Sequence, residues 1–127
     1  MKIFLDLNEN QKRAVETLSL AIKKLEGEKE IIKAWELNER HYGNLTGLNK
    51  KETEDKFGSD QVFKWRRSWN IAPPDIEMSN PYYNKILNSY KNIPANKIPK
   101  SESLKDTFNR SVPYFDKKIY PLIEKNN

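Results

Sequence analysis

Residues 39–42 of this 127-residue chain, Glu39–Arg40–His41–Tyr42, place a carboxylate beside a guanidinium, an imidazole and a phenol. Further along, Lys50 and the pair Arg66–Arg67 add more positive charge. Arginine grips phosphate and carboxylate groups bidentately and lysine acts as a point charge, so these residue types suit an anionic ligand. Spacing alone leaves other readings open. Glu39 could simply pair with Arg40 or cap a helix, and an Arg–Arg pair usually lies on the surface.

The composition narrows the classes of function. Twenty-three Lys and Arg against eighteen Asp and Glu give a net charge of +5, which favours anionic partners without naming one. Cysteine is absent, so disulfide and thiolate chemistry are excluded, and we predict no metal site. The basic residues are interspersed with acidic ones, and no stretch reaches membrane-spanning length. We therefore expect a cytoplasmic protein that binds neither nucleic acid nor membrane.

Two predicted strands and a helix precede the charged segment. Residues 1–7 have the apolar bulk of a short strand, and Asn8 with Gln11 predicts the N-cap of a helix that runs to about residue 26. Ile31–Glu39 is β-branched and aromatic at its start, and we interpret it as a second strand that ends at Glu39. Residues at strand ends in α/β proteins line ligand crevices, so this interpretation places Glu39 at a site.

Helices dominate the rest of the chain. Asn49 predicts an N-cap for a helix over Lys50–Phe57, and a second helix after Gly58 carries three large side chains on one face: Val62, Trp65 and Trp69. Adjacent helical residues diverge by about 100°, so one of Arg66 and Arg67 is expected to face solvent.

Prolines and a final helix complete the pattern. Five prolines interrupt residues 72–100, which predicts a long loop with about one turn of helix. Ser101 is expected to open the last helix, and Pro113 to kink or restart it. The apolar residues expected to face inward from this helix are Leu104, Phe108, Phe115, Ile119 and Leu122.

Several blocks of the sequence resemble the cofactor-dependent phosphoglycerate mutases of the histidine phosphatase superfamily. The matching blocks are Lys12–Ala14, Leu37–Gly43, Leu45–Lys50, Trp65–Ser68, Pro73–Pro74, Glu102–Thr107 and Val112–Tyr114. The run from residue 36 to residue 50 is the most specific. The resemblance implies an α/β fold with few parallel strands, a majority of helix and a long proline-rich loop. It further implies one partial domain over residues 1–127, with a proline-rich loop insertion at 72–100.

The resemblance also implies a chemistry, namely the interconversion of 3-phosphoglycerate and 2-phosphoglycerate in glycolysis through a phosphohistidine relay. Complete relatives bind no permanent cofactor and use 2,3-bisphosphoglycerate as the phosphoryl primer. Glu39 matches the carboxylate that moves a proton between substrate hydroxyls. Six further residues match positions that bind or flank the substrate: Arg40, His41, Tyr42, Lys50, Arg66 and Arg67. Arg13 matches another phosphate-contacting arginine, although Asn8–Glu9 replaces the usual Thr-Ser pair and adds a repelling carboxylate.

The departures from the family matter as much as the matches. The Arg-His-Gly motif that carries the phosphorylated histidine, and the Ala-His-Gly-Asn motif with the second histidine, do not occur here. His41, the one histidine, does not match either. The chain is therefore expected to be the middle of such an enzyme and inactive alone, prone to self-association or to pairing with a complementing fragment. The alternative is a non-catalytic truncated or split-gene fragment with residual anion or partner binding.

Overall fold

The computed structural model describes residues 2–5, 12–24, 27, 30–90 and 92–125, and the side chains of all of these except 2–5 and 12–15. The chain forms two compact units, Met1–Glu39 and Arg40–Asn127. The first contains a pair of parallel strands and the second is helical, which agrees with the predicted helix-rich α/β class.

The first unit has the predicted order of strand, helix and strand. β1 (Lys2–Leu5) and β2 (Glu30–Lys33) pair in parallel, in register from Lys2 opposite Glu30 to Leu5 opposite Lys33. Parallel neighbours need a crossover connection, and α1 (Lys12–Lys24) lies within it. The predicted cap at Asn8 and Gln11 falls outside the described residues.

The predicted end of the second strand is wrong. β2 stops at Lys33, where its pairing with β1 stops, and Trp35–Leu37 then forms a 3₁₀ turn. The N–H groups of Leu37 and Asn38 bond to carbonyls three residues back, at 3.1 and 3.0 Å. These local bonds replace ladder bonds, so Glu39 follows a turn and not a strand.

Two consecutive helices begin the regular part of the second unit. α2 (Lys50–Phe57) starts as predicted, because the Asn49 side chain accepts from the N–H of Lys51 at 2.9 Å. Gly58 separates it from α3 (Ser59–Arg67), which buries Val62 completely. Trp69, predicted on the same face, lies beyond the end of α3 and is exposed.

The proline-rich segment holds more structure than predicted. It contains α4 (Tyr83–Ser89) and a 3₁₀ turn at Ala95–Lys97. Tyr90, directly after α4, is 2% exposed, and Ile76 is also buried. Buried side chains of this kind mean that the segment contributes to the core of its unit.

The last helical stretch begins later than predicted and changes its winding. Ser103, not Ser101, is the N-cap of α5 (Leu104–Tyr114), because the hydroxyl of Ser103 and the carboxylate of Asp106 bond to each other's backbone in a capping box. Pro113 lacks an N–H, and a π-helical segment, Phe115–Ile119, follows it before α6 (Tyr120–Glu124).

Hydrogen bonds from the Ser103 side chain and backbone lower the pKa of Asp106 from its ordinary value of 3.8. Lys105 lowers this pKa further, while partial burial opposes the change.

The predicted inward face of this stretch is mostly exposed. Leu104, Phe108 and Phe115 are 39–49% exposed, whereas Ile119 and Leu122 are partly buried. The described part of the second unit contains no strand, so no sheet covers this face from within that unit. The prediction that these five residues face inward is therefore wrong for the first three.

Candidate anion-binding site

Arg40 is a buried cation at the start of the second unit. It is 8% exposed, and its Nη2 donates to the carbonyl oxygens of Trp65 at 2.9 Å and Arg66 at 3.2 Å. Those carbonyls belong to the last turn of α3, where main-chain acceptors lack helical partners and the helix dipole is negative. These two hydrogen bonds therefore hold the start of the second unit, at Arg40, against the C-terminus of α3.

Tyr42 brings a second guanidinium into the same cluster. The Cζ atoms of Arg40 and Arg66 lie 4.6 Å and 5.4 Å from the centroid of its ring. Contacts of this kind each contribute about 0.5–2 kcal/mol, depending on desolvation. Among the described residues of the second unit, no carboxylate forms an ion pair with either guanidinium. We call Arg40, Tyr42 and Arg66 the arginine–tyrosine cluster.

Several donors of this cluster lack an acceptor. Nε and Nη1 of Arg40 and Nε of Arg66 are buried, and within the described ranges they have no hydrogen-bond partner. An unsatisfied buried donor costs about 1–3 kcal/mol, and more when it carries charge. Guanidinium donors grouped in this way suit the oxygens of a phosphate or carboxylate.

His41 is held through its main chain as well as its ring. Its N–H donates to Oε2 of Glu102 at 3.0 Å, and its carbonyl oxygen accepts from the N–H of Glu102 at 2.8 Å. The ring Nε2 lies 2.5 Å from the hydroxyl of Tyr90. The imidazole thus connects this segment to the end of α4.

Glu102 is itself neutralised by a buried arginine. Nε and Nη2 of Arg110 donate to the two carboxylate oxygens of Glu102 at 2.7 and 2.8 Å. The side chain of Glu102 is only 3% exposed and that of Arg110 only 6%. Sequence reasoning placed Glu102 in a matching block but gave neither residue a role. The available signal was an arginine eight positions after Glu102, two turns into the helix that Ser103 caps.

The proline-rich segment is fastened to residues 43–47. The N–H of Asn44 donates to the carbonyl of Pro74 at 2.8 Å, and the side-chain amide of Asn80 bonds back to Asn44 and Thr46. Gly43 has a φ of +56°, and a Cβ there would stand 2.1 Å from the Pro74 oxygen. This close approach requires glycine.

The structure brings together three of the predicted binding residues, which form the arginine–tyrosine cluster. Lys50, the first residue of α2, is exposed, and its Nζ lies 3.6 Å from Oε1 of Glu54. Arg67 is exposed at the end of α3, so the two adjacent arginines diverge as predicted.

Two predicted site residues belong to the first unit. Glu39 is exposed and is the last residue of that unit. Arg13 is the second residue of α1, and its side chain lies outside the described part of the chain. The convergence of the basic residues around Glu39 stays a prediction.

Three other features of the described residues bear on alternative kinds of site. A small apolar pocket of about 190 Å³ is lined by Ile76 and by residues of α4 and of the segment 95–100, and it contains none of the predicted site residues. Within the described ranges, no group of three or more His, Asp or Glu side chains is arranged to hold a metal ion. None of the described helices is long and apolar enough to cross a membrane.

Comparison with known proteins finds a matching family and several similar proteins. Residues 10–100 match the model of the histidine phosphatase superfamily (branch 1). The chain is similar to three proteins named 2,3-bisphosphoglycerate-dependent phosphoglycerate mutase. The identities are 47% over 105 residues in Pelagibacter ubique, 48% over 111 in Treponema denticola and 44% over 116 in Buchnera aphidicola.

The aligned regions cover most of this chain and much less of the relatives. They include 83%, 87% and 91% of this chain, but 44%, 45% and 50% of the relatives in the same order. The chain therefore spans about half the length of the curated relatives it matches. On the family match across most of its length, the chain belongs to the histidine phosphatase superfamily, branch 1.

Proposed function

We propose that this chain supplies part of the substrate site of a phosphoglycerate mutase, with the arginine–tyrosine cluster holding a phosphate or carboxylate group of a phosphoglycerate. The observation that carries the proposal is the set of buried guanidinium donors on Arg40 and Arg66 that have no acceptor among the described residues. An anion supplies both the missing acceptors and the missing negative charge. The names of the similar proteins support this choice of anion.

The proposal extends to residues outside the cluster. Glu39 would exchange a proton with the substrate hydroxyls, and His41 would hold the segment between the cluster residues. Lys50 would add positive charge to the site, whereas the exposed Arg67 would contribute only long-range charge. Arg13 would keep the phosphate-contacting role that the resemblance implies. Phosphoryl transfer depends mainly on positioning and on charge neutralisation, which these residue types provide. In complete relatives, 2,3-bisphosphoglycerate primes the phosphohistidine; we expect this chemistry in the cytoplasm.

By themselves, these 127 residues are proposed to bind without turnover. His41 is the one histidine in the sequence, and its ring nitrogen is engaged with Tyr90. A phosphohistidine relay needs a nucleophile free to be phosphorylated. A coupled assay of the purified chain with 3-phosphoglycerate and 2,3-bisphosphoglycerate should show no turnover. Turnover that His41→Ala abolishes would contradict this part of the proposal.

A non-catalytic anion-binding or partner-binding chain is the second candidate. The arginine–tyrosine cluster needs no nucleophile to bind an anion, which favours this candidate for the chain alone. Adding a polypeptide that carries the two histidine motifs distinguishes the candidates. Restored turnover supports a mutase polypeptide, whereas anion binding without turnover supports the second candidate.

Exposed aromatic side chains support a proposal about partners. Trp69 and Phe108 stack edge to face at 5.6 Å, and they are 53% and 49% exposed. Large apolar side chains grouped on a surface favour association. We therefore expect a second copy of the chain to cover this face at high concentration, and light scattering of Phe108→Ser against the parent chain tests it. Equal, concentration-independent monomer masses would contradict it.

Nuclear magnetic resonance titration tests the binding site directly. Inorganic phosphate and 3-phosphoglycerate, added at constant ionic strength, should shift the side-chain Nε–H signals of Arg40 and Arg66. The donors are enclosed, so entry of the anion requires neighbouring side chains to move, and we expect slow association. Shifts confined to exposed lysines would overturn the proposed site.

A further inference from the structure

We infer that Glu102 and Arg110 are positioning residues for anion binding, which they serve by holding the main chain on both sides of His41. The inference rests on the proposed function for its ligand. The contacts of Glu102 with His41 and Arg110, however, all lie within the second unit. Neither residue belongs to the arginine–tyrosine cluster, and in the described part of the second unit no side-chain hydrogen bond joins either of them to it.

The geometry acts through two peptide planes. The His41 N–H belongs to the peptide that joins it to Arg40, and its carbonyl belongs to the peptide that joins it to Tyr42. Glu102 bonds to the first through Oε2 and to the second through its own N–H. Each peptide group is planar and rigid and contains the Cα atoms on both of its sides, so fixing both planes fixes the Cα positions from which the Arg40 and Tyr42 side chains leave the backbone.

Charge explains why Arg110 is needed. A buried carboxylate so near the cluster would compete for a guanidinium, because an arginine fork is the strongest partner available to it. Arg110 occupies both oxygens of Glu102 instead. Within the second unit, the guanidinium groups of Arg40 and Arg66 therefore keep donors for an external anion. The pair supplies a fixed hydrogen-bond acceptor with its negative charge neutralised.

The chain offers a matched control in Ser103. This residue follows Glu102 and is equally buried, and its hydroxyl caps α5. No hydrogen bond joins Ser103 to His41 within the described ranges. Ser103→Ala therefore weakens the start of α5 without releasing the peptides of His41. If Glu102 served stability alone, its replacement would change anion binding no more than Ser103→Ala does.

The test compares the double variant Glu102→Gln/Arg110→Gln with Ser103→Ala. Changing both partners together leaves neither charge of this pair buried without the other, which favours folding. We expect the double variant to raise the Kd for inorganic phosphate at least about fivefold, and Ser103→Ala to change it less than about twofold. The ¹⁵N heteronuclear NOE of Arg40 Nε should fall in the double variant and stay at the parent value in the control.

The two readouts separate the inference from the proposed function. A parent chain that binds no phosphate overturns the proposed function, and the NOE of Arg40 then decides the positioning role alone. If the NOE of Arg40 and the Kd for phosphate change no more in the double variant than in Ser103→Ala, the inference is overturned. Should the double variant not fold, Arg110→Lys replaces it in the test, because lysine keeps the positive charge but cannot form the two parallel hydrogen bonds to Glu102. It should lower the same NOE partway, and an unchanged value would count against the inference.

Discussion

The guanidinium of Arg40 donates to the main-chain carbonyl of Trp65, 25 positions later in the chain, at 2.9 Å. The same nitrogen reaches the carbonyl of Arg66. One side chain thus ties the start of the second unit to the end of α3, while its other nitrogens have no acceptor in the described residues. The second unit thus holds a fixed cation with buried donors that have no acceptor, and this arrangement destabilises the folded state until an anion supplies the acceptors.

Stability should therefore depend on phosphate through Arg40. A ligand at one hundred times its Kd stabilises the folded state by about 2.7 kcal/mol, so phosphate should raise the Tm of the parent chain. Arg40→Met removes the donors and should make the Tm independent of phosphate. Calorimetry in phosphate and in chloride at equal ionic strength measures this. The exposed Arg67→Met is the control, and a phosphate response in Arg40→Met as large as in this control would contradict the prediction.

Asp106 should make stability depend on pH in acid. Its folded-state pKa is lowered, so its stabilising effect is complete above the unfolded pKa and disappears as pH falls through the folded value. Urea unfolding of the parent chain and Asp106→Asn should differ most above about pH 5 and converge below the folded pKa. A difference that grows as pH falls would contradict the assignment.

Gly43 should tolerate alanine much less than Gly58 does. Both have positive φ values. A Cβ at Gly43 would stand 2.1 Å from the Pro74 oxygen, whereas a Cβ at Gly58 would meet no atom of the described residues within 4 Å. We expect Gly58→Ala to cost about 1–3 kcal/mol of unfolding free energy from backbone strain. Gly43→Ala adds an overpacking cost of about 1–3 kcal/mol. Faster proteolysis between residues 72 and 82 should accompany Gly43→Ala only, and equal losses would show that the close approach is unimportant.

Local signals predicted the elements that local interactions determine. The cap at Asn49 and the divergence of Arg66 from Arg67 both depend on neighbours within one helical turn. The predicted start of the last helix at Ser101 is wrong although the correct signal is also local, namely Ser103 with Asp106 three residues later. The assignment of Glu39 to a strand end failed because β-branched residues persist only to Ile32, and the turn at Trp35–Leu37 has no strong sequence signal.

The contacts that hold the site could not be read from local sequence. Glu102 and His41 are 61 positions apart, and nothing near either residue predicts that both peptide groups of His41 bond to Glu102. Likewise, the apolar spacing of Leu104 and Phe108 indicates a helix face, but it does not say what covers that face within the unit. Such pairings depend on the tertiary fold, for which the family resemblance was the only guide.

The affinity of Arg66→Gln and Arg67→Gln for inorganic phosphate tests the central claim most directly. The two substitutions remove the same charge from adjacent positions of α3. In the part of the chain that the structure describes, Arg66 contacts Tyr42 and has a buried donor without an acceptor, and Arg67 shows neither feature. Isothermal titration calorimetry at constant ionic strength should show Kd raised at least about tenfold by Arg66→Gln, and less than about twofold by Arg67→Gln. Equal effects of the two substitutions would mean that net charge alone attracts the anion, and the arginine–tyrosine cluster would not be its site.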